Sequence, residues 1–327
     1  MKLGRNLTNT FTIEVLTEEE QSKILSGEED LYSLNAFGII KMKKDIKHIV
    51  EVCKKLGIHH IELDCDTPSP YIEMSKRERD SLKNYFKEND ITISVHMPYT
   101  MSAVSNIASL QELERTEAEN IAKEYIKFAI DVDALSIVIH PGKIPFYFAS
   151  KSFLKKLEEQ IVKSLYNLAK YIKDFSDIKF HLENNTAFDG FYYNIEDCVR
   201  VVKKVRDAGG EIYFNFDIGH WFTKEKIGEK LPDNFLDEVL KIPKEFVYEF
   251  HLNDYIVEEG IFHPPLIEQR GKLKKEVLIK YAEIIKKFNV KLLVLETAFH
   301  SLEQVKKRYE IIKNENDYIA EIFKEGW

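Results

Sequence analysis

Six acidic or imidazole side chains stand at the ends of short apolar, β-branched segments. These segments read ISVH, SIVIH, KFHLE, YFNFD, YEFH and LLVLE, and they end at His96, His140, Glu183, Asp217, His251 and Glu296. Burying a lone carboxylate or imidazolium is costly unless something pairs with it. Gathered in one place, such carboxylates would repel one another, and a divalent cation removes that cost. The pattern therefore predicts a metal centre, provided that the six segments meet.

The elements that must position these residues are short strands alternating with amphipathic helices. The predicted strands are Leu3–Leu7, Ile58–Leu63, Ile91–His96, Leu135–His140, Ile178–Glu183, Ile212–Asp217, Phe246–His251 and Lys291–Glu296. The helical patterns between them are Lys44–Leu56, Lys76–Glu88, Gln111–Val132, Lys151–Phe175, Ile195–Asp207, Asn234–Lys241 and Leu273–Phe288. Leu34–Ile40 is a rival for the first strand.

Eight strand–helix pairs in 327 residues predict a single (β/α)8 TIM barrel that spans residues 1–327 as one domain. Residues 10–42 are expected to form an insertion after the first strand, as a loop or hairpin near the barrel mouth. Residues 302–327 are expected to form a C-terminal helix. A doubly wound open sheet is the alternative, because alternation alone does not distinguish it from a closed barrel.

In a barrel the C-terminal ends of all strands point to one face, so the six side chains would converge there. Glu183 and Glu296 would then lie opposite each other, with Asp217 and His251 between them, as a four-residue cage. His96 and His140 would lie beside Glu183, which could bridge to a second ion. Imidazole and carboxylate without thiolate favour Zn²⁺ or Mn²⁺, and Co²⁺ or Fe²⁺ also fit.

The amino-acid composition indicates in which compartment the protein is located and which classes of partner it disfavours. The three cysteines have no CxxC spacing, which excludes a disulfide framework and favours the cytoplasm. No run of 18 apolar residues occurs, so no membrane span is expected. A net charge of −8 provides no overall basic field for nucleic acid. The sequence leaves a homo-oligomer open.

Six short motifs, in this order, resemble those of the xylose isomerase-like TIM-barrel superfamily, which contains sugar phosphate isomerases and epimerases and the AP endonuclease (endonuclease IV) family. They are HMPY with NIAS (His96–Tyr99, Asn106–Ser109), HPG (His140–Gly142), LENN (Leu182–Asn185), DIGH (Asp217–His220), HLND (His251–Asp254) and LET (Leu295–Thr297). The resemblance covers about residues 44–300 and implies a barrel with a metal-dependent site at its mouth.

By this resemblance, Glu183, Asp217, His251 and Glu296 bind one metal. In the endonuclease IV branch, the counterparts of His96 and His140 hold a second zinc ion. A third zinc ion there uses the counterparts of His220 and His263 together with an aspartate. That aspartate is replaced here by Ile261, two residues before His263, and Asp254 or Glu258 are candidates to take its place. The resemblance thus implies one to three ions.

Two chemistries compete for this set of residues. The first is isomerisation or epimerisation of a small polyol or sugar phosphate, in which Glu183 and Glu296 move a proton beside a carbonyl. Residues predicted to contact the substrate are Tyr99, Asn184, Asn185, Asn253 and Arg270. For the three asparagines, hydrogen bonding within turns is the alternative.

The second chemistry is zinc-dependent hydrolysis of a phosphodiester in abasic-site DNA. The complete set of histidines favours it, whereas the missing aspartate disfavours it. The predicted mouth loops, which include Gly142–Phe148 and Phe188–Tyr193, are rich in aromatic residues and poor in Lys and Arg. Such loops suit a sugar at least as well as a duplex. A non-catalytic metal-binding barrel is a third class, disfavoured because the four-residue set is complete.

Overall fold

Eight parallel strands close into a barrel in the computed structural model of the chain, which describes residues 1–99, 102–143 and 150–324. The barrel strands are β1 (Lys2–Asn6), β2 (His60–Asp64), β3 (Thr92–His96), β4 (Ser136–Ile139), β5 (Lys179–Glu183), β6 (Tyr213–Asp217), β7 (Glu249–Leu252) and β10 (Leu292–Leu295). Each strand pairs with the next one along the chain, and β10 closes the ring against β1. The predicted closed barrel is therefore confirmed, and the open sheet is excluded.

Helices surround the barrel and pack on it through apolar stripes. They are α1 (Glu18–Ser26), α2 (Leu31–Lys44), α3 (Ile46–Lys55), α4 (Lys76–Glu88), α5 (Glu112–Asp131), α6 (Lys151–Phe175), α7 (Ile195–Asp207), α8 (Ile218–Phe222), α9 (Phe235–Val239), α10 (Lys275–Ile285), α11 (Leu302–Lys306) and α12 (Arg308–Lys324). In α7, buried Cys198, Val201, Val202 and Val205 follow the helical period. The predicted C-terminal helix is divided into α11 and α12, and residues 325–327 lie outside the described part of the chain.

The segment 10–42 is helical, so the expected loop or hairpin there is wrong. Thr17 and Glu20 form a reciprocal capping box that starts α1, and the side chain of Asp30 caps α2. The rival strand Leu34–Ile40 lies inside α2. Lys43 of α2 donates to the carbonyl of Asp66, which follows β2, and Glu14 accepts from Arg308 of α12.

The barrel interior is polar beneath the strand ends. Inward side chains at alternate positions form a buried polar layer, namely Asn6, Glu62, Ser94, Ser136, His181, Asn215 and Glu249. Hydrogen bonds connect part of this layer: Asn6 and Ser94 donate to Glu62, and Ser136 donates to Glu249 across the barrel. These bonds offset part of the cost of burying the two carboxylates.

A two-stranded antiparallel hairpin follows β7 and was not predicted. Its strands are β8 (Tyr255–Ile256) and β9 (Ile261–Phe262), and it delivers His263 to the barrel mouth. Among the described residues, no helix has both the length and the apolarity needed to cross a lipid bilayer.

Candidate metal centre

The four residues expected to bind one metal come together at the C-terminal ends of β5, β6, β7 and β10. Their ligand atoms all lie within 4.8 Å of one another. His251 Nδ1 lies 3.2 Å from Glu183 Oε2 and 3.3 Å from Glu296 Oε1. Glu183, Asp217 and His251 have no exposed surface, and Glu296 is 5% exposed. Because these three carboxylates are close together and buried from solvent, a cation or bound protons must balance their negative charge.

Asp217 performs two tasks with its two oxygens. Oδ1 accepts a hydrogen bond of 2.7 Å from the backbone N–H of His220, which caps α8. Oδ2 accepts from the amide of Asn253, and the same amide donates to Glu296 Oε2 at 3.1 Å. A Cβ at Gly219 would lie 1.6 Å from Asn253 Oδ1, so the glycine makes room for this amide. The DIGH segment therefore fixes both the ligand and the group that orients it.

His96 and His140 lie on the other side of Glu183, as the barrel geometry predicts. Their Nε2 atoms are 3.4 Å and 3.8 Å from Glu183 Oε2. The two Nε2 atoms are 3.2 Å apart. If a second cation binds, His96 and His140 would hold it together with Glu183, which also belongs to the four-residue set.

His220 and His263 complete a third group of ligand-type atoms with Asp217 and Glu296. His220 Nδ1 is 3.3 Å from Glu183 Oε1, and His263 Nε2 is 3.6 Å from Glu296 Oε2. Glu296 is therefore the carboxylate beside His263 in this group.

For the aspartate that this chain lacks before His263, neither proposed replacement stands in the group. Both oxygens of Asp254 accept hydrogen bonds from backbone N–H groups of Tyr255, Lys272 and Leu273. Glu258 lies exposed in the turn of the hairpin. A third cation would thus have Asp217, His220, His263 and Glu296 as its ligands.

The donor atoms fit divalent metal ions. Within the described residues, three of the buried atoms that face the centre have no hydrogen-bond partner: Glu183 Oε1, His251 Nδ1 and His263 Nε2. Buried polar atoms are nearly always paired, so such a concentration of orphans indicates a missing partner. Imidazole nitrogens and carboxylate oxygens together suit Zn²⁺, Mn²⁺, Co²⁺ or Fe²⁺.

Electrostatics lead to the same conclusion. Burial raises the pKa of Glu296 to about 8, although His251 opposes the shift. Burial disfavours the charged form of His220, but Asp217 and Glu183 raise its pKa to about 10. Burial also opposes ionisation of Glu183, yet His251 and His140 hold its pKa well below the ordinary value. Protons and imidazolium groups thus balance the carboxylates, and a bound cation would displace them.

The asparagines predicted to contact a substrate make bonds to the protein itself. Asn184 donates to the carbonyl of Asp217 at 2.9 Å and accepts from its N–H at 2.8 Å. Asn185 donates to the carbonyls of Gly142 and Phe191. Asn253 holds two metal-site carboxylates, as described above.

Tyr99 and Arg270, the other predicted contacts, lie in different surroundings. The Tyr99 ring packs on His140 with 3.9 Å between centroids, and its hydroxyl donates to Asp189. Arg270 is 39% exposed and pairs with Glu259 at 2.7 Å. Tyr99 thus lies at the metal centre, whereas Arg270 lies at the protein surface. Most of the predicted aromatic loop Gly142–Phe148 falls within residues 144–149, outside the described residues.

Two carboxylates lie beneath the centre: the sequence left the direction of Glu62 open, between the mouth and the helix layer, and Glu249 was not predicted. Glu62 Oε1 and Glu249 Oε1 lie 3.3 Å and 3.4 Å from His251 Nε2, the ring nitrogen that faces away from Glu183 and Glu296. The signal was available: Glu249 precedes His251 by two positions on one strand, so both face inward.

Comparisons with known proteins agree with the fold and the motifs. The profile of the family described as xylose isomerase-like TIM barrel matches residues 50–321. An uncharacterised protein of Methanocaldococcus jannaschii is 26% identical over 230 residues, 70% of this chain and 78% of that protein. The structure of D-psicose 3-epimerase from Clostridium cellulolyticum aligns with a TM-score of 0.65 at 17% identity, covering 85% of this chain and 94% of that one. Endonuclease IV from Thermus thermophilus aligns with a TM-score of 0.61 at 14% identity, covering 97% of this chain and 99% of that one.

Proposed function

This chain belongs to the xylose isomerase-like TIM-barrel family, and from that premise we propose that it is a divalent-metal-dependent isomerase or epimerase of a small sugar or sugar phosphate. The observation that carries the proposal is the complete buried set Glu183, Asp217, His251 and Glu296. Its ligands would hold Zn²⁺ or Mn²⁺, with Co²⁺ or Fe²⁺ as further fits. We also propose that the protein is located in the cytoplasm and that residues 1–327 form a single domain.

Glu183 and Glu296 are the proposed proton-transfer groups. A metal bound here supplies charge stabilisation to neighbouring carbonyl and hydroxyl oxygens of a substrate. Glu183 and Glu296 come from β5 and from the end of β10, and His251 Nδ1 lies between them. One carboxylate can take a proton from the carbon beside a carbonyl while the other returns a proton.

The charge pattern of the mouth supports a small substrate. Lys143, Lys224, Arg270 and Lys272 lie on segments that follow the strand ends, and each is within 4 Å of a carboxylate. Phe188 and Phe262 make an aromatic edge contact of 6.0 Å beside His263. Paired cations leave little positive charge for a phosphate backbone, whereas aromatic faces suit a sugar ring.

A phosphodiester hydrolase is the second candidate, and one observation favours it. His96, His140, His220 and His263 all point at carboxylates of the four-residue set, which is more imidazole than a single cation needs. Clustered metal ions are a common means of activating water against a phosphodiester.

One pair of assays separates the two candidates. The purified protein, loaded in turn with Mn²⁺, Co²⁺ and Zn²⁺, is tested for turnover of a ketose and aldose panel and for nicking of a duplex with one abasic site. We expect sugar turnover that falls by about 10²–10⁴-fold in Glu183→Gln and Glu296→Gln, because each removes a proton-transfer group. Glu117→Gln, which alters an exposed carboxylate on the outer helix α5, serves as the control.

The reverse result overturns the proposal. Efficient nicking that is lost in His96→Ala and His220→Ala, with no sugar turnover, would establish the hydrolase. A protein that binds none of the three metals would exclude both chemistries.

A further inference from the structure

Glu249 lies one layer deeper in the barrel than His251, on the same strand and the same face. Its Oε1 is 3.4 Å from His251 Nε2. Both atoms are buried, and neither has a hydrogen-bond partner. A shift of about half an ångström would bring them to ordinary hydrogen-bond distance. The two orphan atoms are therefore each other's natural partners.

The competing carboxylate, Glu62, has other donors. Its Oε1 accepts from Asn6 at 2.8 Å, and its Oε2 accepts from Ser94 at 3.1 Å. Glu249 receives only the hydroxyl of Ser136, on Oε2, which leaves Oε1 free. An N–H at His251 Nε2 would therefore satisfy Glu249 and would add a further donor to Glu62.

The orientation of the His251 ring makes this contact relevant to metal binding. Nδ1 faces Glu183 and Glu296, and Nε2 faces the barrel interior. If Nδ1 binds a metal, the neutral ring carries its proton on Nε2 and must donate it. A buried donor left without an acceptor is destabilising, so a ring in this orientation needs a partner below it.

We infer that Glu249 is a positioning residue: its carboxylate accepts the Nε2–H of His251 and so holds Nδ1 towards the metal position. This inference rests on the proposed metal-binding role of His251. Ser136 of β4, three strands away around the barrel, fixes the carboxylate through its other oxygen. The barrel interior thus provides the support that a loop-borne ligand would lack.

The test uses Glu249→Gln, Glu62→Gln and the remote control Glu117→Gln, on the exposed face of α5, in the full-length protein. Affinity for Co²⁺ and Zn²⁺ is measured by competition with a chromophoric chelator, together with the visible spectrum of the Co²⁺ form. We expect Glu249→Gln to weaken binding by about 10–100-fold and to shift the Co²⁺ bands, because the imidazole becomes a poorer and less constrained ligand. Glu62→Gln should cost less than Glu249→Gln, and the control should match the wild type.

A second readout is independent of affinity. In the Zn²⁺ form, proton NMR should show a downfield N–H resonance from His251 that disappears in His251→Ala and moves upfield in Glu249→Gln. If Glu249→Gln fails to fold, Ser136→Ala keeps the carboxylate but frees its orientation, and should shift the same resonance.

The outcomes are distinct. Wild-type affinity and an unmoved resonance in Glu249→Gln would overturn the inference, as would a larger loss in Glu62→Gln than in Glu249→Gln. Absence of metal binding by the wild type would instead overturn the proposed function on which it rests.

Discussion

At the scale of single residues, the DIGH segment shows how one buried carboxylate is held in a fixed orientation at the candidate metal centre. Asp217 caps a short helix with one oxygen and presents the other to the centre. Asn253 donates to both Asp217 and Glu296, so one amide orients two carboxylates of the candidate centre. Gly219 is required because any side chain there would enter the space of that amide.

Gly219→Ala should therefore act through Asn253. We expect it to weaken Co²⁺ or Zn²⁺ binding about tenfold, as loss of a group that orients a ligand typically does. Asn253→Ala should have a similar effect. The double variant should bind the metal no more weakly than the single variant with the lower affinity. The reason is that the clash between the new methyl group and the Asn253 amide disappears when the amide is removed. Fully additive losses in the chelator competition would contradict this link.

At the scale of elements, α12 is joined to the barrel by a buried ion pair. Arg5 of β1 donates to Glu315 of α12 at 2.9 Å, and the side chains are 1% and 0% exposed. Glu315 also accepts from the hydroxyl of Thr297 at 2.8 Å and from the backbone N–H of Leu266. The helix thus holds the segment that follows β9 and the residue next to Glu296.

Glu315→Ala should be strongly destabilising. It leaves Arg5 buried without its counter-charge, which typically costs about 3–5 kcal/mol. The free energy of unfolding from urea titration measures the effect. Glu310→Ala, on the exposed side of the same helix, should stay within about 0.5 kcal/mol of the wild type. Equal stability of the two variants would show that the ion pair contributes little.

The elements also show where sequence reasoning succeeds. The bounds predicted for α4, α6 and α7 match the structure. Apolar stripes mark α6 and α7, and a capping box of Ser75 and Glu78 marks the start of α4. Helix α1 was missed although Thr17 and Glu20 form a capping box, because Ile24 is its one buried residue and no apolar stripe marks it. The β8–β9 hairpin has strands of two residues each, too short for any periodic signal.

In the candidate site, too, some residues can be predicted from the sequence and others cannot. Ligand-type residues at strand ends can be predicted, because the barrel geometry alone brings them together. Glu62 and Glu249 sit in strand interiors, where the outward neighbours of an all-parallel sheet are also buried and apolar. The role of such residues depends on which layer of inward-facing side chains each of them occupies in the barrel. The register of strand pairing determines this layer, and the residue type does not.

At the scale of the whole molecule, metal binding and folding should be coupled. Bringing Glu183, Asp217 and Glu296 together is favourable only when their charges are balanced. A ligand that binds only the folded state stabilises it by about 4 kcal/mol when its free concentration is about 1,000 times Kd. We expect chelator to lower the Tm by several degrees, in one cooperative transition if residues 1–327 form a single domain.

His251→Ala provides the matched control, since its Tm should respond little to metal or to chelator. A wild-type Tm that is the same with and without metal would argue against a cation at this centre. Two separated transitions would argue against a single domain.

The ligand-type residues lie on structural elements of different kinds. Glu183, Asp217, His251 and His96 belong to barrel strands, whereas His220 lies on a five-residue helix and His263 follows a hairpin. The hairpin is anchored by the N–H of His263 on the carbonyl of Asp254 and by the N–H of Ala298 on the carbonyl of His263. If more than one cation binds, occupancy should therefore be graded: the position held by strand residues fills first, and the position held by His220 and His263 fills last. A preparation with fractional stoichiometry would then be an intermediate stage of assembly and not a damaged protein.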